Sequence, residues 1–198
     1  MVKGIVEKNC SFRRRTDVRL DPFDLTHEGA HFQAPLGDGT VRFGDSAEQV
    51  LAVLGQPERG STDTTLYFNA ARIQVHLGRG GVEFMEFATN PKKDGIDVEW
   101  EGHILSHMNA IDCTEMLMAS NDGARVNEEE APSSYVFEKL GLTVWQPYAL
   151  QDAMRDMREA ESSGDEGELE YFQEEVDMAE FFDSVGIGSQ EYMKGYFS

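Results

Sequence analysis

Residues 65–87 have the sequence TLYFNAARIQVHLGRGGVEFMEF and carry the clearest structural signal in the chain. Apolar and polar side chains alternate in this stretch, most regularly where Ile73, Val75 and Leu77 are separated by polar residues. A period of two places every second side chain on the same face of a strand. The glycines between residues 78 and 81 predict a turn. We therefore expect antiparallel strands, each with one buried face, at 65–68, 72–77 and 82–87.

A short helix is predicted just before these strands. Asp45 or Ser46 is a suitable N-cap, because a short polar side chain can accept a hydrogen bond from the first turn of a helix. Val50, Leu51 and Leu54 fall on one helical face. Gly55 and the proline at 57 predict that the helix ends there.

The pattern recurs in the second half of the chain, and it predicts the fold. A helix is expected from about Met108 to Ala119, followed by strands at 135–137 and 142–145. Leu142 lies 69 residues after Ile73, and Val144 lies 69 residues after Val75. Two such helix–strand–strand repeats predict an α+β protein with one continuous antiparallel sheet and helices on one face. The second repeat has no obvious third strand, and the segment after Phe182 is expected to pack back as an edge strand.

This pattern divides the chain into four expected segments. An N-terminal strand and loop segment covers 1–40, the first repeat covers 41–98, and the second repeat covers 99–149. An acidic helical tail covers 150–198 and is expected to pack on the same core.

Charge is distributed unevenly along the chain. The 37 acidic and 17 basic side chains give a net charge of −20, of which −2 falls in residues 1–98, −7 in 99–149 and −11 in 150–198. This charge repels nucleic acids and anionic membrane surfaces. No continuous apolar run approaches the ~20 residues that a membrane helix needs. The distribution indicates either a basic protein partner or a charge that serves only solubility, with neither nucleic acid nor membrane as a target.

The cysteines and the N-terminus indicate a reducing compartment. Cys10 and Cys113 are far apart and form no CxxC motif, so free thiols are expected. The first residues lack the apolar core of a secretory signal. We therefore expect a cytoplasmic protein, and no residue pattern calls for a cofactor.

The acidic residues include two candidate contact groups. Glu128, Glu129 and Glu130 fall in a predicted loop. Glu170, Glu174 and Asp177 recur on nearly one face of a predicted helix. The aromatic residues expected to supply buried anchors beside them are Tyr171, Phe172, Phe181 and Phe182.

A metal site is the alternative. His27-Glu28-Gly29-Ala30-His31 matches H-E-x-x-H, in which two histidines on one helical turn bind zinc and the glutamate activates water. Glu48, seventeen residues after His31, is a possible third ligand. Gly29 in the middle of the motif disfavours the helix by about 1 kcal/mol relative to alanine. A loop or strand with exposed histidines is therefore the expectation.

The segment from Gly44 to Pro57, a capped helix ending in Leu-Gly-Gln-Pro, resembles the opening of a widespread α+β module. The module occurs in the small lipoprotein of the outer-membrane barrel-assembly machinery. In tandem it forms the β-lactamase inhibitory proteins, which bind their target enzyme through the open face of the sheet. The match covers mainly residues 41–87, with a weaker echo over 104–146. Residues 135–145 and 182–188 also resemble uncharacterised bacterial cytoplasmic proteins.

The resemblance implies a binding scaffold without catalytic residues of its own. Together with the charge, it predicts an immunity-type inhibitor that neutralises a basic partner, such as a toxin with nuclease activity. One alternative is a zinc-dependent hydrolase that uses His27, Glu28 and His31. Another is a structural or adaptor subunit of a larger assembly.

Overall fold

A computed structural model of the protein describes residues 18–20, 29–33 and 36–198. Its strands, β1 to β12 in chain order, are Val18–Leu20, Gly29–Phe32, Gly39–Arg42, Thr65–Phe68, Ile73–Gly78, Gly81–Ala88, Val98–Trp100, His103–Ile104, Val126–Asn127, Ser134–Phe137, Leu142–Trp145 and Ser184–Gly188. Its α-helices, α1 to α5, are Ala47–Leu54, Ala110–Ser120, Leu150–Ser163, Glu166–Ala179 and Gln190–Lys194. Short 3-10 helices cover Pro91–Lys93, Leu105–His107 and Gly195–Phe197. The predicted α+β class with mostly antiparallel strands is confirmed.

The described strands form two sheets, so the prediction of one continuous sheet is wrong. The larger sheet has the order β4-β5-β6-β12-β11-β10-β9, and all its neighbouring strands are antiparallel. The smaller has the order β3-β2-β1-β7-β8, with β1 and β7 parallel. Seven strands at about 4.8 Å spacing are roughly 29 Å wide. The 8 residues of α1 and the 11 residues of α2 extend about 12 Å and about 17 Å, so each of these helices alone spans only part of that width.

The core lies between the two sheets and helices α1 and α2. Phe32 of β2 packs against Phe87 of β6, with 6.1 Å between ring centroids. Val50 of α1, Trp100 of β7 and Leu117 of α2 belong to the same buried cluster. Residues on both sides of the chain's midpoint therefore stabilise one core.

Local capping determines where α1 begins. The side chain of Ser46 accepts a hydrogen bond from the backbone N–H of Gln49 at 3.4 Å, and Gln49 Oε1 accepts one from the N–H of Ser46 at 2.9 Å. Asp45, the other predicted cap, accepts instead from the N–H of Arg42 at 2.7 Å. Gly55 closes the helix with a positive φ of 80°. The predicted helix and its end at Gly55 are confirmed.

The longest helices occupy the C-terminal quarter of the chain. Helices α3 and α4 have 14 residues each, and Asp165 caps α4 by accepting from the N–H groups of Gly167 and Glu168. Across the part of the chain that the structure describes, no helix combines the length and apolarity needed to cross a membrane.

Strand β12 corrects the prediction of an edge strand. It lies between β6 and β11 near the middle of the larger sheet, and all five of its residues are buried. The prediction failed because glycines at 186 and 188 lower strand propensity. In the folded chain these glycines leave room for side chains of neighbouring elements, such as the ring of Phe84 and the thioether of Met193.

Candidate protein-binding surface

Helices α3 and α4 form a hairpin that connects β11 to β12, two strands that pair with each other. At its base, Leu150, Ala153 and Ala179 are buried and pack with Ile111 of α2. At its other end, every residue from 161 to 168 is exposed. The hairpin is therefore anchored at one end and surrounded by solvent at the other.

The hairpin also carries much of the negative charge. Residues 150–180 contain 12 acidic and 2 basic side chains, which gives −10 of the total −20. Both basic side chains lie on α3 and bind groups of the same helix. Arg155 pairs with Asp152 and Asp156, and Arg158 donates to the carbonyl of Met154 at 3.0 Å. Helix α4 contains neither lysine nor arginine, so its own sequence leaves its carboxylates uncompensated.

Three predicted contact residues share one stripe of α4. Glu170, Glu174 and Asp177 follow the spacing that places side chains on one side of a helix, and all three are exposed. Tyr171 and Met178 form an adjacent stripe and are 56% and 41% exposed. We call these five residues the α4 face. Sequence reasoning missed Met178, although its position seven residues after Tyr171 puts both on the same side of the helix.

Only one of the four predicted aromatic anchors is exposed. Phe172 is half-buried, and its ring meets that of Tyr171 edge-on at a centroid distance of 5.1 Å. Phe181 is half-buried, whereas Phe182 is 5% exposed and belongs to the main core. Phe182 is therefore not an exposed anchor beside Glu170 and Glu174, because this residue leads into the buried strand β12. Of the four residues, Tyr171 alone exposes most of its side chain to a partner.

The second predicted group lies apart from the α4 face. Glu128–Glu130 forms an exposed turn between β9 and β10. Glu129 and Glu130 line a groove of about 210 Å³ together with Tyr196. Asp177 lines a different groove, of about 300 Å³, with residues of α3. The two predicted groups thus border different grooves.

A further cavity, of about 180 Å³, opens between α2, β10 and the start of α3. Gln146 is 2% exposed and lines it, with Tyr135 on the wall. Burial, and secondly the charge of Glu128, raise the pKa of Tyr135 above its ordinary value. Sequence reasoning missed this site. The available signal was the alternation that continues from Leu142 and Val144 to Gln146, which puts a polar residue in a core-facing register.

The alternative zinc site falls partly outside the described residues, because His27 and Glu28 are not among them. His31 lies on strand β2, where its Nδ1 is 3.1 Å from Oγ1 of Thr40. The zinc-protease pattern requires that histidine on a helix. Glu48 is exposed in the first turn of α1. Within residues 18–20, 29–33 and 36–198, no three His, Cys, Asp or Glu side chains are grouped so that they could hold a metal ion.

The predicted free thiol at Cys113 is confirmed. Cys113 forms no disulfide and is fully buried on α2. Burial raises its pKa to about 12, so the thiol is protonated at neutral pH and unreactive as a nucleophile. Cys10 lies outside the described residues.

Comparisons of the chain with protein-family models, with curated proteins and with solved structures found no match. The resemblance to the β-lactamase inhibitory proteins therefore stays a prediction that rests on residues 41–87 and 104–146.

Proposed function

We propose that the protein is a cytoplasmic, immunity-type inhibitor that binds a basic protein, such as a toxin with nuclease activity, and catalyses no reaction itself. The α4 face is the observation that supports this function most strongly. It exposes Tyr171 and Met178 on one side of the helix, two turns apart, next to Glu170, Glu174 and Asp177. Protein interfaces concentrate their binding free energy in a few aromatic or flexible apolar anchors inside a polar rim. The α4 face has this composition.

Charge on the hairpin supports a basic partner in particular. Opposite charges raise the association rate constant from about 10⁵–10⁶ M⁻¹s⁻¹ toward about 10⁸–10⁹ M⁻¹s⁻¹ at low salt. An inhibitor of a toxin benefits from fast capture, because damage continues until the toxin is bound. In this proposal the turn Glu128–Glu130 contributes charge from a second position and affects mainly the association rate.

The position of the hairpin in the sheet is consistent with a binding element. We take the larger sheet to contain two copies of a helix with three strands: α1 with β4, β5 and β6, and α2 with β10, β11 and β12. In this proposal the two copies meet where β6 pairs with β12. Ile73 and Leu142 are both buried and both begin the middle strand of their copy.

The two copies differ in how their last strands are connected. In the first copy, β5 ends at Gly78 and β6 begins at Gly81, so a tight turn is sufficient. In the second copy, the hairpin α3–α4 stands between β11 and β12. Antiparallel neighbours need no such connection. The hairpin is therefore free to serve binding.

The experiment begins with capture of partners from a lysate of the source organism, at low salt and at about 0.5 M salt, where the Debye length falls to roughly 4 Å. We expect a basic protein that binds at low salt. Binding kinetics are then measured with that purified protein. The triple variant Glu170→Gln, Glu174→Gln, Asp177→Asn should associate several-fold more slowly and with a weaker salt dependence. Tyr171→Ala should dissociate at least about tenfold faster, which corresponds to 1.4 kcal/mol.

A matched control separates the α4 face from net charge. The triple variant Glu159→Gln, Glu161→Gln, Glu168→Gln removes the same number of carboxylates from exposed positions elsewhere on the hairpin. It should change the association rate much less. Equal effects of the two triple variants, or capture of only neutral or acidic proteins, would show that the charge serves solvation and that the inhibitor function is wrong.

A further inference from the structure

We propose that the cavity between α2, β10 and the start of α3 binds a guanidinium group, supplied by an arginine side chain of the basic partner. The source of the arginine rests on the proposed function, whereas the site itself does not. The cavity has a volume of about 180 Å³. An apolar cavity of roughly 150 Å³ is large enough for benzene, so a planar guanidinium with part of its aliphatic stem fits.

The most buried polar residue of the cavity lining carries an unsatisfied acceptor. Gln146 is 2% exposed, and among the described residues its Oε1 has no hydrogen-bond partner. A buried acceptor without a donor is destabilising, because it has lost its hydrogen bond to water and gained nothing in return. A ligand that donates an N–H to Gln146 removes this cost.

Two further polar groups of the lining, Thr114 and Glu115, accept, whereas Gln151 can both accept and donate. The hydroxyl of Thr114 donates its hydrogen to the carbonyl of Ala110 at 2.8 Å, so only its lone pairs are left for a ligand. Glu115 contributes an exposed carboxylate to the lining. A guanidinium carries five N–H donors and no acceptor, which complements these three groups. An anionic ligand is disfavoured by Glu115 and by the net charge of −20.

Apolar walls favour arginine over lysine. Tyr135, Ile111 and Phe182 line the cavity beside these acceptors. A guanidinium is planar, weakly hydrated and stacks on aromatic rings, whereas an ammonium is compact and strongly hydrated. Transfer from water into a partly apolar cavity therefore costs less free energy for arginine than for lysine.

Gln146 also lines a smaller space of about 30 Å³ next to Tyr148 and Asp183. That volume is close to the share of one water molecule. A single water in this space could donate a hydrogen bond to Oε1 instead of a guanidinium. Only a guanidinium site predicts that an added guanidinium compound changes the signals of Gln146.

The test is an NMR titration of the full chain with Nα-acetyl-arginine methylamide. The side-chain amide signals of Gln146 are identified by their loss in Gln146→Met. We expect saturable shifts of these signals at millimolar probe concentrations, roughly −4 kcal/mol of binding. The citrulline analogue, which has the same shape but no charge, should bind at least about tenfold more weakly. Binding to the variants is followed by the backbone amide signals of Ile111 and Thr114, which line the cavity and persist in every variant. Gln146→Met should weaken arginine binding by a similar factor, and Glu115→Gln several-fold.

A control variant separates the effect of the carboxylate in the cavity lining from the effect of net charge. Glu161→Gln removes an equally exposed carboxylate from the far end of the hairpin and should leave probe binding unchanged. The proposal is overturned if the Gln146 signals do not shift, if citrulline binds as well as arginine, or if Glu161→Gln weakens binding as much as Glu115→Gln.

The test of the guanidinium site can fail without the inhibitor function failing, and the inhibitor function can fail without the site failing. Probe binding without any basic partner would leave the site standing and refute the inhibitor. Partner binding through the α4 face without probe binding would support the inhibitor function and refute the guanidinium site. If Glu115→Gln and Gln146→Met bind the partner as tightly as the parent does, the ligand is a free guanidinium compound, and the partner's arginine is excluded as its source.

Discussion

His76 shows how a single buried nitrogen makes stability depend on pH. It lies on β5, and its ring centroid is 5.5 Å from that of Phe84. Its Nε2 is buried and finds no hydrogen-bond partner among the described residues. Burial lowers the pKa of His76, while the negative charge of Glu86 acts in the opposite direction. The folded protein therefore favours the neutral imidazole.

This environment predicts a loss of stability in mild acid. The unfolded chain has a histidine pKa of about 6.5, and the folded value of His76 is lower. The unfolded state then binds more protons, so the free energy of unfolding falls as the pH drops below about 6.5. The variant His76→Leu should show a smaller fall between about pH 7.5 and about pH 5.5, measured by chemical denaturation.

The control for this experiment is His103→Leu, which replaces an exposed histidine on β8. It should keep the pH dependence of the parent protein. Equal slopes for the parent and His76→Leu would mean that other groups produce the acid sensitivity.

At the scale of elements, β12 can pack in the middle of the sheet because its glycines leave space for neighbouring side chains. A Cβ at position 186 would lie 2.3 Å from Cζ of Phe84 and 2.4 Å from Oγ1 of Thr143. The Phe84 ring is itself stacked on Tyr192, with 5.0 Å between centroids. It therefore has little freedom to move away. The strand requires glycine at 186 because the side chains of Phe84 and Thr143 occupy the space that a Cβ would need.

We predict that Gly186→Ala destabilises the protein by about 1–3 kcal/mol, the usual effect of overpacking a filled site. Chemical denaturation measures this directly. The matched control, Gly167→Ala on the exposed side of α4, should be neutral or stabilise by up to about 1 kcal/mol.

A second substitution tests the cause of that destabilisation. Phe84→Leu shortens the side chain that an alanine at 186 would meet, so the double variant should recover part of the lost free energy. Strict additivity of the two substitutions would show that the clash with Phe84 is not responsible.

At the scale of the molecule, the pairing of β6 with β12 joins distant parts of the chain. Its register runs from Ala88 opposite Ser184 to Phe84 opposite Gly188. Both strands belong to the main buried cluster, to which both halves of the sequence contribute. Because the larger sheet and the core are continuous, the two halves should unfold together.

Native-state hydrogen exchange tests this cooperativity. The amides of β6 and β12 should exchange with the same free energy, equal to that of global unfolding, as denaturant is increased. Edge strands β4 and β9 and the hairpin end at 161–168 should exchange at lower free energies. A clearly lower value for β12 than for β6 would mean that the C-terminal part of the sheet opens on its own.

The predictions that succeeded rest on signals within a few residues of each other. Ser46, one of the two predicted caps, contacts a residue only three positions away, and the alternation around Val75 needs only its own strand. The stripe of Glu170, Glu174 and Asp177 follows from helical geometry alone. Such features need no knowledge of the rest of the chain.

Tertiary structure decided what depends on contacts between distant residues. Ala88 and Ser184 pair across nearly half of the sequence, and no local pattern encodes that choice. The same is true of the second sheet, of Phe182 in the core and of Gln146 facing a cavity. Amino-acid sequence by itself determined the start of α1, the alternating strands and the acidic face of α4, because backbone geometry and capping act locally. The central place of β12 and the guanidinium-sized cavity arise only when packing sets which surfaces meet, because burial is a property of the assembled core.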